Sequence, residues 1–173
     1  GARARGYLAD RGLGSPLQKE FRLGYAPRER FALRDYLASK DVDGPTMIEA
    51  GILVHGEDIA VPYDRFRDRI MFPIADRSGR IIAFGGRAMD KDAQAKYLNS
   101  PETSLFHKGH CLYNHHRARA AAHKSGRVIA GSAGSLFVNA PSCEGDIDSG
   151  PERVSTYRRP IASLPSRLLA CVL

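Results

Sequence analysis

Apolar residues recur along the chain with two different periods, and this predicts a mixture of helices and strands. Helical spacing, helix-end residues or a high alanine content predict helices in residues 2–13, 28–40, 47–51 and 115–125. Thr46 is expected to cap the third of these helices, and Gly51 is expected to end it in the left-handed conformation.

The clearest strands form a predicted β-hairpin. Residues 69–74 are its first strand, residues 76–79 its turn and residues 80–87 the returning strand. Pro73 has no N–H to donate, so its strand is expected to lie at an edge or a bulge there. Shorter extended segments are predicted at residues 21–25, 52–54, 96–99, 111–113 and 128–130.

The end of the chain differs in composition from the rest. Residues 131–173 contain 4 Gly, 7 Ser and 4 Pro among 43 residues, without sustained apolar periodicity. Such a composition is typical of a linker or a disordered tail. We therefore expect one α+β domain in residues 1–130, in which a β-hairpin or small sheet is flanked by helices, followed by an irregular tail.

Charge and hydropathy narrow the choice of partner. The net charge is +7, and the whole excess lies in residues 1–130, which hold 22 basic and 15 acidic side chains. Such an excess indicates a polyanionic partner only if the charges share one face. No stretch approaches the roughly 18 consecutive apolar residues of a membrane helix, so no membrane partner is expected.

The cysteines and histidines show no recognisable metal-binding spacing. Cys111, Cys143 and Cys171 are widely separated, which favours reduced thiols in a cytosol over a structural zinc site. Five histidines crowd residues 107–123. Polar surface histidines are a simpler interpretation of this cluster than a tetrahedral metal site.

The stretch from Tyr63 to Ala88 carries the candidate chemistry, because six arginines fall within it. Arg65, Arg67 and Arg69 alternate with other residues, so in an extended segment they would point to one side. Arginine forks grip phosphate oxygens, and a row of them suits a sugar–phosphate backbone. Nearby aromatic residues could stack on unpaired bases: Tyr63, Phe66, Phe84 and Tyr97.

A plain surface hairpin is the alternative interpretation of this stretch. Its arginines would then pair with Asp64, Asp68 and Asp76, and its aromatic side chains would belong to the core. The Gly85-Gly86 pair could bring the backbone close to a ligand or could form a bulge.

Two lysines form a second candidate group. Lys96 and Lys108 flank a tight polar turn. Lysines in such positions suit the phosphates of a nucleotide or a template, and the alternative is that both are solvated loop residues.

Longer segments decide between these interpretations. The segments YDRFRDRIMFPIADRSGRIIAFGGR and KYLNSPETSLFHKG resemble the signature segments of bacterial DnaG-type primases. YLADRGL, FRLGYAP and IEAGIL fit the same family in order and spacing, and the similarity extends over about residues 1–130. The resemblance implies the N-terminal subdomain of the primase catalytic core, which is a mixed α/β unit.

The resemblance also implies a function. The corresponding region of the family supplies a basic track for single-stranded DNA template and contacts to incoming ribonucleoside triphosphates. The chain is therefore expected to be part of an enzyme that makes short RNA primers during replication, in the bacterial cytoplasm at the nucleoid. The residues implied on or near the track are Arg65, Arg67, Arg69, Arg87, Lys96 and Lys108, with Tyr63, Phe66 and Tyr97 as candidate stacking residues.

The chain departs from the family after Ala130. The family continues there into a TOPRIM fold, whose glutamate and aspartate cluster hold magnesium ions, whereas this chain reads GSAGSLFVNAPS. Glu144, Asp146 and Asp148 resemble the missing segment only superficially, so no catalytic or metal-binding residue is identified. The family's zinc-bearing amino-terminal domain and helicase-contacting carboxy-terminal domain are not expected within this chain.

Two further interpretations remain open at this point. The chain could be a remnant that folds poorly and is inactive because the TOPRIM metal site is missing. It could also be a relative of TOPRIM nucleases or topoisomerases, but that reading needs the same acidic residues and fits the upstream segments less well.

Overall fold

The structure, a computed structural model, describes residues 1–125, 130–131 and 170–172. The chain divides into two compact units, one made of residues 1–74 and 81–107 and the other of residues 75–80 and 108–173. Helices and antiparallel strands occur together, which confirms the α+β class. Most of the predicted irregular tail, residues 132–169 and 173, lies outside the described residues. No described helix is long and apolar enough to cross a membrane.

The first unit combines short helices with a four-stranded sheet in the order β1-β4-β5-β6 and an antiparallel pair, β2-β3. Its helices are α1 (Ala2–Ala9), α2 (Ser15–Glu20), α3 (Ala32–Ala38) and α4 (Gly44–Glu49). Its strands are β1 (Gly24–Ala26), β2 (Leu53–Val54), β3 (Tyr63–Asp64), β4 (Arg69–Ala75), β5 (Ile81–Ala88) and β6 (Tyr97–Asn99). Helix α2 was not anticipated from the apolar spacing.

The predicted hairpin is confirmed, and it forms the centre of the sheet as β4 and β5. Every second residue of β4 is buried, because Ile70, Phe72 and Ile74 are at most 5% exposed. Strand β1 pairs with β4 only from Arg69 to Met71. Pro73 therefore lies beyond the residues that pair with β1, so its missing N–H does not cost a hydrogen bond to that strand.

Two aspartates determine where the middle helices begin. Asp43 caps α4 by accepting a hydrogen bond from the backbone N–H of Thr46 at 2.8 Å, so the prediction of Thr46 as the cap was wrong. Asp64, on strand β3, accepts hydrogen bonds from the N–H groups of Leu33 and Arg34 at 2.7 and 2.9 Å. A carboxylate about thirty positions away thus accepts the free N–H groups at the start of α3. No local sequence pattern reveals this cap.

Gly51 ends the α4 segment as predicted, with a φ of +68°. A Cβ atom at this position would lie 2.7 Å from the Pro101 ring, so the absence of a side chain also allows a close contact. The contact holds the polar turn after β6 against the end of α4. One glycine therefore serves both the chain reversal and the packing of the turn.

The second unit contains α5 (His115–Ser125), as predicted, and three short strands, β7 (Leu112–Tyr113), β8 (Ala130–Gly131) and β9 (Ala170–Val172). The strands form a sheet in the order β7-β9-β8, in which β9 pairs antiparallel with β7 and parallel with β8. Residues 170–172 were expected to be irregular. They form a strand because β7 and β8 supply hydrogen-bonding partners on both sides, which sequence periodicity does not show.

Candidate nucleic-acid interface

The three alternating arginines do not lie on one continuous strand, so the extended geometry on which the expectation of a shared side depended is absent. Residues 65–68 are irregular, and Asp68 has a φ of +48°, which bends the backbone between Arg67 and Arg69. Arg67 is exposed, Arg65 is half-buried and Arg69 is only 9% exposed. The same residue type therefore occupies three different environments within five positions.

Arg69 and Arg65 bind backbone carbonyl groups. The Arg69 guanidinium donates to the carbonyl oxygens of Ala95 at 2.8 Å and Lys96 at 3.4 Å. Arg65 donates twice to the carbonyl oxygen of Asn99, at 2.9 and 3.1 Å. The two guanidinium groups thus fix both ends of β6 and the segment before it.

Placing the Arg65 and Arg69 guanidinium groups away from water lowers the pKa of both. Burial lowers the pKa of Arg65, and burial followed by the charges of Arg67 and Arg65 lowers the pKa of Arg69. Arginine stays protonated in proteins even so. These two positive charges therefore stabilise the fold through carbonyl oxygens and are less accessible to a ligand than Arg67.

The aspartates of the hairpin region have other partners than these arginines. Asp64 binds N–H groups of α3, and Asp68 accepts a hydrogen bond from the Tyr25 hydroxyl at 2.6 Å. This bond is the main cause of the raised pKa of Tyr25. Arg28 lies 3.6 Å from the second Asp68 oxygen. The alternative interpretation, in which hairpin arginines form ion pairs with hairpin aspartates, is found for Arg80 and Asp76, whose side chains are 2.8 Å apart.

Arg67 lies against an aromatic ring. Its guanidinium carbon is 4.9 Å from the centre of the Tyr63 ring, and that of Arg30 is 4.3 Å from the same ring. Contacts of this kind orient a planar cation over the ring face. Tyr63 therefore stays a candidate for stacking, with two arginines beside it.

A second aromatic ring, that of Tyr7 in α1, holds another pair of arginines. The guanidinium carbons of Arg11 and Arg87 are 3.6 and 4.1 Å from its centre. Arg87 also donates to the carbonyl oxygen of Ala88 at 2.9 Å. The ring and the carbonyl together fix the direction of the Arg87 side chain.

Strand pairing brings three predicted residues together. Arg87 is the register partner of Tyr97, and the N–H of Ala88 donates to the carbonyl oxygen of Lys96 at 2.9 Å. The exposed Lys96 ammonium lies 5.6 Å from the Tyr97 ring. A bond from the N–H of Met89 to the carbonyl oxygen of Asp68, at 2.9 Å, ties the segment carrying Arg67 to the same end of β5.

Phe66 and the glycine pair have a packing role. Phe66 is 5% exposed, so it belongs to the core and its ring is not available for base stacking. A Cβ atom on Gly86 would lie 2.9 Å from the Phe66 ring and 3.0 Å from the Arg69 Cδ atom. Gly86 therefore admits these two side chains, and the expectation that the pair brings backbone to a ligand does not apply to it.

Lys108 belongs to the second unit, where it begins a short 3-10 turn, Lys108–His110. His116 of the same unit has a lowered pKa because of burial and the neighbouring Arg117. No group of three His, Cys, Asp or Glu side chains in the described part of the chain could hold a metal ion. Glu144, Asp146 and Asp148 lie outside that part.

Comparison with known proteins places the chain in a family. The family model described as the DNA primase catalytic core, N-terminal domain, matches residues 1–119. The chain belongs to this primase family. A DNA primase of Pseudomonas aeruginosa is 50% identical over 113 residues, covering 65% of this chain and 17% of the relative. One of Halalkalibacterium halodurans is 43% identical over 129 residues, covering 75% of this chain and 21% of the relative.

Solved primase structures have the same fold. A DNA primase domain from Pseudomonas aeruginosa matches with a TM-score of 0.72 at 37% identity, covering 98% of this chain and 46% of that one. A DnaG primase catalytic domain bound to single-stranded DNA matches with a TM-score of 0.66 at 39% identity, covering 75% and 40%. The resemblance stated from the signature segments is confirmed. The chain spans about a fifth of the length of the curated primases that it matches.

Three residues that lie against the predicted residues Arg87 and Tyr63, or against each other, were missed by the sequence reasoning: Tyr7, Arg11 and Arg30. Tyr7 lies in α1 and Arg11 in the turn that follows it, and their spacing of four positions within the predicted helix 2–13 could have drawn attention to them. Arg30 precedes α3 without any comparable signal. Its proximity to Tyr63 depends on tertiary structure alone.

Proposed function

We propose that this chain is part of a bacterial DNA primase, which synthesises short RNA primers on a single-stranded DNA template during replication. Within that enzyme the chain supplies a basic surface for template and incoming ribonucleoside triphosphates. The observation that carries the proposal is the convergence of three chain segments at one end of the sheet. They bring Arg67, Arg87 and Lys96 to the start of β4, the end of β5 and the start of β6.

The charges at this end of the sheet support a polyanionic ligand. Arg67 and Lys96 are exposed, and neither forms an ion pair with a carboxylate of the described residues. Tyr63 and Tyr97 are half-buried, with ring surface beside these cations. Cations that follow a backbone and rings that stack on bases are the two components of a single-strand groove.

The predicted arginines then have two different roles. Arg67 and Arg87 contact phosphate groups, whereas Arg65 and Arg69 hold β6 and Lys96 in place through carbonyl oxygens. Lys108 is proposed as a further phosphate contact from the second unit. Phe66 is left out because its ring is buried.

Further roles belong to the complete enzyme. Residues 1–130 are proposed as the N-terminal subdomain of the catalytic core, and residues 131–173 as a segment divergent from the family. The complete enzyme is proposed to use magnesium for nucleotidyl transfer, to carry zinc in a separate domain and to contact a replicative helicase at the nucleoid. The described residues of this chain supply no ligand set for either metal. We expect the isolated chain to be inactive.

Oligonucleotide binding by the full 173-residue chain tests the proposal. Fluorescence anisotropy with a labelled single-stranded oligonucleotide should give a log–log salt slope of about −0.7 per phosphate contacted. Arg87→Ala should weaken binding to all base sequences alike, because phosphate contacts carry no sequence information. Lys91→Ala, which removes one charge from the exposed loop before β6, is the matched control and should have little effect.

Undetectable or salt-independent binding by a folded chain would exclude the template role. Folding is monitored in the same samples by a cooperative thermal transition and by protected amides in residues 60–115. A chain without either property would be the poorly folded remnant considered above.

A further inference from the structure

We propose that Arg30 and Arg67 form a phosphate-binding subsite around the Tyr63 ring, which takes a backbone phosphate of single-stranded DNA. The inference rests on the proposed template role and extends it to the approach to α3, a part of the surface that the signature segments do not include. Arg30 is the new member of the surface, and Tyr63 is the residue that organises it.

The geometry places two guanidinium groups around one ring. Their central carbons lie 4.3 and 4.9 Å from the ring centre of Tyr63, and these distances add to 9.2 Å, which is the upper limit on their separation. Both arginines are exposed. Two planar cations within this limit can contact one phosphate or two successive phosphates of the same strand, with fork-like hydrogen bonds.

The neighbouring carboxylates are already engaged. One oxygen of Asp68 accepts from Tyr25, and the other is buried without a hydrogen bond from the described part of the chain, with Arg28 at 3.6 Å as its ion-pair partner. Asp35 pairs with Arg34 at 2.7 Å. Among the described residues, Arg30 and Arg67 form no ion pair within 4 Å. Two like charges without a carboxylate repel each other, and a bound anion relieves that repulsion.

The fold holds Arg30 in this position through its backbone. The carbonyl oxygen of Arg30 accepts a hydrogen bond at 2.9 Å from the N–H of Asp64, the residue next to Tyr63 on β3. The Asp64 carboxylate in turn caps α3, so the start of that helix and the strand form one connected structure. The backbone that carries Arg30 is therefore fixed next to Tyr63 before a ligand binds, which lowers the entropic cost of binding.

The surroundings of the subsite favour a polynucleotide. A second aromatic–cation contact lies directly beside it, because the Arg34 guanidinium carbon is 4.0 Å from the Phe31 ring centre. Single-stranded DNA presents phosphates and unstacked bases in alternation, so it can use the cations and the ring of Tyr63 together. A free nucleotide offers the same phosphate chemistry, and a separate measurement distinguishes it.

The test uses the full chain and a fluorescein-labelled dT16 oligonucleotide, with anisotropy measured over a series of KCl concentrations. Arg30→Ala should weaken binding on the order of fivefold at low salt and make the log–log slope shallower by about 0.7, as expected for one lost phosphate contact. Arg77→Ala removes an equal charge from an exposed position in the hairpin turn and should change affinity less than about twofold.

Three further variants examine the role of the ring and of the planar guanidinium. Tyr63→Phe keeps the ring and should bind like the wild type, whereas Tyr63→Leu should weaken binding as Arg30→Ala does. Arg30→Lys keeps the charge without the planar fork and should lie between wild type and Arg30→Ala. The Arg30 side chain is exposed, and its backbone carbonyl bond to Asp64 is kept in any Arg30 variant, so these variants remain informative if Tyr63→Leu unfolds.

The outcomes separate this inference from the template role. If wild type binds dT16 but Arg30→Ala behaves like Arg77→Ala, the subsite is wrong and the template role stands. If the wild-type chain does not bind dT16, both the subsite and the template role are wrong. If Arg30→Ala weakens binding of a fluorescent ATP analogue and leaves the dT16 slope unchanged, the phosphate is that of a nucleotide and the proposed assignment to DNA is overturned.

Discussion

Two arginine environments within the first unit differ in what binds the guanidinium group. Beside β6, Arg65 and Arg69 donate to carbonyl oxygens of the polypeptide, and Arg69 is almost buried. Beside the rings of Tyr63 and Tyr7, the guanidinium groups of Arg67 and Arg87 lie over an aromatic face, and Arg87 in addition donates one hydrogen bond to the carbonyl oxygen of Ala88. A ring face orients a cation but leaves much of its hydrogen-bonding edge available, whereas carbonyl oxygens occupy that edge.

The difference shows why a row of arginines is an ambiguous signal. In the segment from Arg65 to Arg69, residues two apart have different roles because residues 65–68 do not form a strand, and Asp68 has a left-handed conformation between Arg67 and Arg69. The carbonyl-bound arginines should then govern stability and the ring-bound arginines should govern binding. Three substitutions test how these side chains contribute to stability.

The largest effect is expected from Arg69→Ala, which removes the guanidinium that donates to the carbonyl oxygens of Ala95 and Lys96, although Lys96 keeps the N–H of Ala88 as a donor. The free energy of unfolding should fall by about 3 kcal/mol, the range for removing a buried charged hydrogen-bonding group. Urea unfolding followed by circular dichroism measures it. Arg67→Ala is the matched control and should stay within about 0.5 kcal/mol of wild type. Equal losses in both variants would show that burial does not separate the two roles.

A smaller effect is expected from Gly86→Ala. The added Cβ atom would lie 2.9 Å from the Phe66 ring and 3.0 Å from Arg69, so one of these side chains must shift, at a cost of about 2 kcal/mol. The same unfolding experiment applies. Gly24→Ala is the control in strand β1, because its Cβ would meet Met71 at an ordinary 3.7 Å. A loss that is no greater than that of Gly24→Ala would contradict the packing role of Gly86.

The smallest effect is expected from Tyr25→Phe, which removes the hydrogen bond to the Asp68 carboxylate. The loss should be about 1 kcal/mol at pH 7, because the bond is only partly buried. The folded state raises the pKa of Tyr25, so the stabilisation is complete below the ordinary tyrosine pKa and declines as pH rises through the folded-state value. The difference between wild type and variant, measured by urea unfolding at pH 7 and above pH 10, should therefore shrink. A constant difference would contradict this assignment.

Local patterns were sufficient for elements that depend on near neighbours in sequence. The hairpin of β4 and β5 follows from two apolar segments around the Asp76–Gly79 turn, and the bounds of α5 follow from its alanine-rich composition. Gly51 was recognised as a left-handed end because little else fits that conformation. The start of α3 was missed by several residues, since its cap comes from Asp64, about thirty positions away.

The candidate surface was predicted less completely than the elements. Arg87, Lys96 and Tyr97 come together because they fall on paired strands, and strand pairing was partly visible in the sequence. Phe66 was assigned to base stacking, but its ring is buried against Gly86, a contact between residues twenty positions apart that only the fold creates. Arg30 was overlooked since its neighbour Tyr63 lies on a strand that only the fold brings close.

The sequence by itself determined the family, the α+β class and the segment that holds the cationic residues, because ordered signature segments and turn residues are local properties. The tertiary structure alone decided which cations face outward. Whether a guanidinium faces outward depends on the left-handed backbone of Asp68 and on which carbonyl groups the guanidinium can reach. The carbonyl groups are brought close by contacts between distant parts of the chain.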